Sequence, residues 1–315
     1  MNVVVLAGGL SHERDVSIRS GRRISELLRD RGVEVSERDV DTNLLAQWAI
    51  EKPDAVIPLL HGSAGEDGAL RDVLESLDVA YVGSRPDACR LAFDKPIAKA
   101  MVRKAGIATP ASVALPHSTF RELGADAVIK AVLTKVGLPA IVKPSKGGSA
   151  LGVAVVRDAR ELPAALVGTF AYGDVALVEQ FIEGTEVSVS VYEVDGAPVA
   201  LPAVEIRPDG GLYDYNSRYT AGTTEFFVPA RLDAEVAEAV ANTAVLAHEV
   251  LGLRDWSRTD CIVDRTGAVW FLEVNVAPGM TETSLFPMAA AAADVDLGAL
   301  VQALVENAAR RTVGA

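Results

Sequence analysis

The sequence predicts an α/β protein that opens on a doubly wound parallel sheet and carries a smaller α+β unit in its middle. Three observations carry that expectation. Residues 3–7 form an unbroken apolar run closed by Gly8-Gly9, residues 55–60 form a second closed by His61-Gly62, and a helix-spaced apolar stripe follows each run. Buried parallel strands read as continuous apolar runs because both their faces are covered, and strands alternating with helices imply the crossovers of an open sheet. Ligands bind at the carboxyl ends of such strands, which makes both glycine turns candidate site elements.

Taken in order, the first helix is expected to bury Ile24, Leu27 and Leu28 and to stop at Gly32. Leu70, Val73, Leu74 and Leu77 then fall at helical spacing, and residues 80–82 read as a third strand. A helix over 95–105 is broken by Thr109-Pro110, and another over 125–136 precedes two short strands, 140–143 and 153–156. A further strand ends at Glu179. The remainder predicts an alternating strand over 186–194, a helix over 234–251, a hairpin of strands 258–263 and 268–275 turning at Asp264-Arg265-Thr266-Gly267, and a last helix near 297–309. Residues 209–224, rich in Gly and Tyr, are long for an idle connection and are expected to form a mobile functional loop. The expected units are 1–86, 87–183 and 184–315, which suits a chain of 315 residues.

Bulk composition narrows the partners. A formal charge of −13 disfavours nucleic acid and anionic membrane, whose recognition needs a basic footprint, but leaves room for a small anion held by local lysines and magnesium. The two cysteines, Cys89 and Cys261, lie far apart and read as core thiols of a reducing compartment. No apolar run nears the roughly 20 residues of a membrane span, and the start lacks a basic leader, so a soluble, cytoplasmic protein is expected. His117 and His248 read as packing or surface residues, Trp48, Trp256 and Trp270 as core or partly buried, and His61, at a strand end among glycines, as a substrate contact.

Three segments carry chemistry. Pairing Val263 with Ala268 sets Arg258 opposite Glu273 and Asp260 opposite Phe271 on one face, with Asn275 two residues beyond Glu273. Asp260, Glu273 and Asn275 then form an oxygen set suited to magnesium; the alternative is a salt-bridged polar sheet face. Residues 143–152 (KPSKGGSALG) form a glycine-rich loop with Lys143 on the preceding strand, able to offer backbone N–H groups to phosphate, or else simply a mobile hairpin. Glu179-Gln180-Phe181-Ile182, followed by Glu186, reads either as a hinge that holds adenine and ribose or as a charged surface loop.

Together with GGLSHERDVS at 8–17, HGSAGEDG at 61–68, YVGS at 81–84, YDY at 213–215, PGMT at 278–281 and SLFP at 284–287, this order of motifs resembles the D-alanine:D-alanine ligase family of the ATP-grasp superfamily along essentially the full length. The resemblance implies a three-domain ATP-grasp fold and ATP-driven joining of two D-alanine molecules through an acyl phosphate, with ADP and phosphate released, for peptidoglycan precursors. It implies Lys95 and Lys143 on the α- and β-phosphates, with Ser145 and Gly148 in the phosphate loop. Glu179 and the 180–182 backbone would hold adenine between Phe181 and Leu272, and Glu186 the ribose. Glu13 would meet the first D-alanine and connect through Ser149 to Tyr219, while Arg258 and the Gly279 N–H would hold the oxyanion and Ser284 with Leu285 the second D-alanine. Two magnesium ions, replaceable by manganese, would sit on Asp260, Glu273 and Asn275. A homodimer through the first unit is the family habit.

Three residues depart from the pattern: Arg218 where the loop usually has lysine, Ala150 for the second serine, and Val276 for a threonine. Arg218 keeps a charge toward the γ-phosphate but needs more room. Tyr219 favours D-alanine over D-lactate as second substrate. The alternatives are a specialised ligase for another D-amino acid and a nucleotide-binding regulator without turnover.

Overall fold

Strand β1 (Asn2–Leu6) is buried on both faces and pairs in parallel with β2 (Glu34–Arg38) and β3 (Ala55–Pro58), giving the order β2-β1-β3. The computed structural model describes residues 1–48, 50–210, 213, 218, 220 and 222–311. Helix α1 (Arg14–Asp30) crosses this sheet on a face of Ser17, Ser20, Gly21, Ile24, Ser25 and Leu28, the helical repeat of its small and apolar residues. The approach is close: a Cβ on Gly21 would stand 2.5 Å from the Cβ of Ala7.

Two expectations fail in this region for physical reasons. Strand β2 was not expected, because an edge strand reading EVSER is half solvated and carries no apolar run. The third strand at 80–82 is reduced to one parallel bridge between Tyr81 and Val56. A short helix α2 (Leu44–Trp48) precedes β3, and after it come α3 (Ser63–Glu66) and α4 (Ala69–Ser76), with Gly68 in the left-handed region between them; α4 carries the stripe expected at 70–77, which is thinner than its spacing suggests. Only Leu74 is fully buried there, while Val73 and Leu77 reach solvent.

Helices α5 (Pro86–Phe93) and α6 (Lys95–Lys104) follow, the second capped by Asp94, whose carboxylate accepts the Ile97 N–H. The middle unit is a four-stranded antiparallel sheet, β4 (Ser112–Pro116), β5 (Ala140–Pro144), β6 (Ala154–Val156) and β7 (Val175–Gln180), ordered β4-β7-β5-β6. It is backed by α7 (His117–Leu123), α8 (Ala125–Val136) and α9 (Leu162–Phe170) over a core that includes Val128, Val132, Val142, Leu166 and Val178.

The last unit is a second antiparallel sheet of β8 (Gly184–Val194), β9 (Ala197–Ala200), β10 (Val204–Pro208), β11 (Thr224–Phe227), β12 (Trp256–Asp264) and β13 (Val269–Asn275). Helix α10 (Ala234–Val250) covers it, while α11 (Leu285–Ala292) and α12 (Leu297–Arg310) return to the first unit, where Trp256, Phe286, Val301 and Val305 share one core with Val3, Ile24 and Ile57. Helices α5 and α6 in turn share a core with β13, through Cys89, Ala98, Phe271 and Val274. Cys89 and Cys261 are both buried free thiols, and Trp48 and Trp256 are buried as well. Among the described residues no single helix is long and apolar enough to cross a membrane; α11 and α12 pass that test only jointly, yet they are bent by 110° and packed in the core.

Candidate functional site

The hairpin β12–β13 sets the site's geometry, in a register one residue away from the simple expectation beside the turn and two residues away at Asp260 and Arg258. Val263 pairs with Val269, not Ala268, and a bulge absorbs Leu272, so that Asp260 faces Glu273 and Arg258 faces Asn275. A bulge sets two residues against one and re-aims the strand beyond it. Its consequence is that the two carboxylates, which the regular ladder would have offset, are direct cross-strand partners.

Cations saturate these acids. Arg258 grips Asp260 in a fork, Nε to Oδ1 and Nη2 to Oδ2, both 2.9 Å. Ser188, opposite Asp260 on β8, donates to the same Oδ1 at 2.7 Å. Lys95 lies 3.2 Å from Glu273 Oε2 and donates to the Gly147 carbonyl at 2.6 Å. Burial alone would raise Glu273, but Lys95, Lys143 and Arg218 hold its pKa down at about 2. For Arg258, burial works against the charge and Asp260 outweighs it, raising its pKa.

A first cavity lies between the middle sheet and β12–β13. It is lined by Lys95, Lys143, Gly148, Glu179, Gln180, Phe181, Ile182, Glu186, Arg218, Asp260, Leu272 and Glu273, so the sequence-nominated phosphate, adenine and ribose residues do converge. Ser145 is the exception. It is buried beside the cavity, where its backbone bonds to Val175 and to Lys95. Glu186 is pushed up to about 7, chiefly by burial, with Asp260 and Glu273 adding to it against Arg218. Ala150 lines the same cavity with φ 54, and Val276, the other departure, is buried in the α5–α6 core.

A second cavity shares Gly148, Tyr213, Arg218 and Glu273 with the first and opens toward the amino-terminal sheet. Glu13, His61, Ser149, Arg258, Asn275, Gly279, Ser284 and Leu285 line it, again as nominated. Ser149 hydrogen-bonds Glu13, which links the glycine-rich loop to the start of α1. Gly279 has no room for a side chain, since a Cβ would fall 2.8 Å from Ser284 Oγ. The loop beyond it is tied to α1 by Met280 N–H to Ser20 Oγ at 3.0 Å and by Arg23 to the Thr281 carbonyl at 2.7 Å. Tyr219, together with half of the expected closing loop 209–224, lies outside the described residues.

Some lining residues were not singled out from sequence. Glu66 sits in the GEDG motif, buried, accepting the Gly62 N–H at 2.7 Å and pushed up to about 8 by burial and by Glu13. Tyr213 supports Arg218, whose guanidinium lies 4.2 Å from its ring centroid. Burial lowers the pKa of His61, whose Nε2 has no partner among the described residues. His248 is no surface residue: it is buried between Ser257 and Glu193, at 2.8 and 3.3 Å, away from both cavities. His117 packs edge-on to Phe170, as a packing role predicts.

A glycine-rich loop on one antiparallel sheet, facing a second sheet that presents opposed carboxylates across a lysine-lined cleft, defines an ATP-grasp protein. The family model described as D-ala D-ala ligase C-terminus matches residues 101–306. A D-alanine–D-alanine ligase of Fervidobacterium nodosum is 38% identical over 320 residues, covering 99% of this chain and 100% of that one. The chain belongs to the D-alanine–D-alanine ligase family. The Bacillus anthracis D-alanine–D-alanine ligase solved with ATP superimposes with a TM-score of 0.80 at 29% identity, over 98% of this chain and 97% of that one. The VanG D-Ala:D-Ser ligase of Enterococcus faecalis gives 0.84 at 26% identity, over 97% and 98%.

Proposed function

We propose that the protein joins two D-alanine molecules to D-alanyl-D-alanine at the expense of ATP, through an acyl phosphate, supplying a peptidoglycan precursor. The observation that carries the reading is the bulge that sets Asp260 against Glu273 where the two cavities meet, with Arg258 reaching toward the second. The first cavity is the nucleotide site. Gln180, Phe181 and Ile182 hold adenine with Glu179 beside them and Leu272 on the other face, and Glu186 holds ribose. Lys95, Lys143, Gly148 and Arg218 serve the phosphates, with Ser145 behind them accepting the Lys95 backbone N–H.

The second cavity takes the amino acids. Glu13 with His61 receives the first D-alanine, Ser149 linking Glu13 to Tyr219 in the closing loop, and Ser284 with Leu285 receives the second. Arg258 and the Gly279 N–H match the negative charge that grows on the carbonyl oxygen as the second amine attacks, a form of stabilisation specific to the transition state. Asp260, Glu273 and Asn275 fit a hard divalent cation, being an all-oxygen set whose two carboxylates face one another. Two magnesium ions there, or manganese in their place, would neutralise the phosphates during attack by the first carboxylate. The units are 1–86, 87–183 and 184–315, with the loop 209–224 excluding water, in a cytoplasmic homodimer formed through the first unit.

The test is phosphate release with ATP, magnesium and D-alanine, with mass detection of the product. Dipeptide formation is expected. Phosphate release with D-serine or another acceptor, and none with D-alanine alone, would replace this reading with a specialised ligase.

A further inference from the structure

Helix α6 carries a second lysine one turn after Lys95. Lys99 is 1% exposed, and its Nζ donates to Glu179 Oε2 at 2.7 Å. The other oxygen of that carboxylate, Oε1, is 2.5 Å from Lys143 Nζ, and Glu179 itself is 2% exposed. One buried carboxylate is therefore shared by two ammonium groups on opposite sides. Of the three, Lys143 and Glu179 line the first cavity and Lys99 does not.

The charge balance of this trio is the point. Lys143 and Glu179 alone would form a neutral pair, and a neutral pair presents little field to an anion. Lys99 spends half of the Glu179 charge on the far side, so the trio keeps one net positive charge, and the cavity side of it is Lys143. Burial works against the Lys99 charge and lowers its pKa to about 8 despite Glu179, so the cluster holds this cation against a desolvation cost. A core lysine kept for packing alone would be replaceable by an apolar side chain of the same length.

We infer that Lys99 is a positioning residue for nucleotide binding: by engaging Glu179 from behind, it leaves Lys143 with a net positive charge for the nucleotide phosphates. The inference rests on reading the first cavity as a nucleotide site, and the experiment separates the two.

MgADP and adenosine affinities are measured by calorimetry on the full chain, across a range of salt, for the wild type, Lys99→Met and Lys99→Arg. Lys99→Met is expected to weaken MgADP about tenfold and flatten its salt dependence, as loss of one partly screened charge implies, and to leave the binding of adenosine, which carries no phosphate, unchanged. In turnover it raises the KM for ATP and leaves kcat within about twofold. Lys99→Arg keeps the charge and most of the affinity. A purely structural role, in which Glu179 loses its place, predicts that Lys99→Met weakens adenosine as much as MgADP. Lys99→Gln carries the same charge test should the Met variant not fold by circular dichroism. Unchanged MgADP affinity in Lys99→Met, or adenosine weakened as much as MgADP, overturns the inference. A wild type that binds no MgADP sinks the nucleotide reading and this inference with it.

Discussion

The two cavities are built on opposite electrostatic plans. In the first, nearly every acid on the wall meets a protein cation: Glu179 meets Lys99 and Lys143, Glu273 meets Lys95, and Asp260 meets Arg258. In the second, polar groups are buried with fewer counterparts among the described residues, as in Glu66, which accepts the Gly62 N–H, and His61, whose Nε2 has no partner among them. The first stands mainly on neighbouring strands and one helix, with the glycine-rich loop over them. The second is assembled from turns of the amino-terminal sheet, the glycine-rich loop and the 279–285 loop. Paired charges on regular strands can be rigid before any ligand arrives, and groups on loops are oriented by what they bind. The difference suits a site in which a polyanion is held first by a fixed frame and a small zwitterion is oriented by a closing one.

Substitutions that break the paired frame are expected to cost most. Asp260→Asn keeps the hydrogen bond from Ser188 but loses a charge of the proposed metal site and frees Arg258, and is expected to lower kcat/KM by about 10³-fold or more, measured by phosphate release. Arg258→Lys retains a charge without the fork that matches two oxygens, and a loss of about 10²-fold in kcat is expected with the KM for ATP nearly unchanged. An equal rise in both KM values would mean that Arg258 serves the frame as a whole. Ser188→Ala leaves Asp260 with only Arg258 to orient it, and the apparent magnesium affinity, or manganese binding followed by electron paramagnetic resonance, should weaken about tenfold, with Ser188→Thr close to wild type.

The smallest effect probes the unpaired side. Burial raises Glu66 from an ordinary 4.5 to about 8 in the folded chain, so between those values the folded state keeps a proton that the unfolded state has released. The stability linked to Glu66 is thus complete below pH 4.5 and lost as pH rises toward 8. Glu66→Gln preserves an acceptor for the Gly62 N–H and removes the titration. Its melting temperature, relative to wild type, should rise by roughly 5 °C between pH 5 and pH 8, and an unchanged difference would show that Glu66 is not held neutral.

Most of the site was legible before any coordinates because its residues sit in short motifs whose local structure is strong. The hairpin turn after Asp264 and the polar residues in an otherwise apolar β13 announced a site on their own, and the glycine-rich loop lies between strands close to those expected. The register was missed because the turn holds one residue more than a Val263–Ala268 pairing allows, and a bulge at Leu272, which leaves no mark in an alternating pattern, shifts the partners of Asp260 and Arg258 by one more. Strand β2 was missed because an edge strand lacks the apolar run of a buried one. Lys99 and Ser188 passed unnoticed since a lysine four residues after another on a helix, or a serine on an alternating strand, is ordinary composition until a partner distant in sequence is known.

The amino-acid order by itself determined the class of fold, the family, the turn and hairpin elements and a set of site residues of which every described one except Ser145 lines one of the two cavities. These depend on spacing and local conformation, which act over a few residues. What only the tertiary structure decided is who faces whom: Asp260 against Glu273, Ser188 and Arg258 on Asp260, and Glu179 divided between Lys99 and Lys143. Several of these pairings join residues distant in sequence, Ser188 and Asp260 being 72 apart, Lys99 and Glu179 80 apart and Lys143 and Glu179 36 apart (179 − 143), and the energies of all of them depend on distance and burial that no local pattern contains.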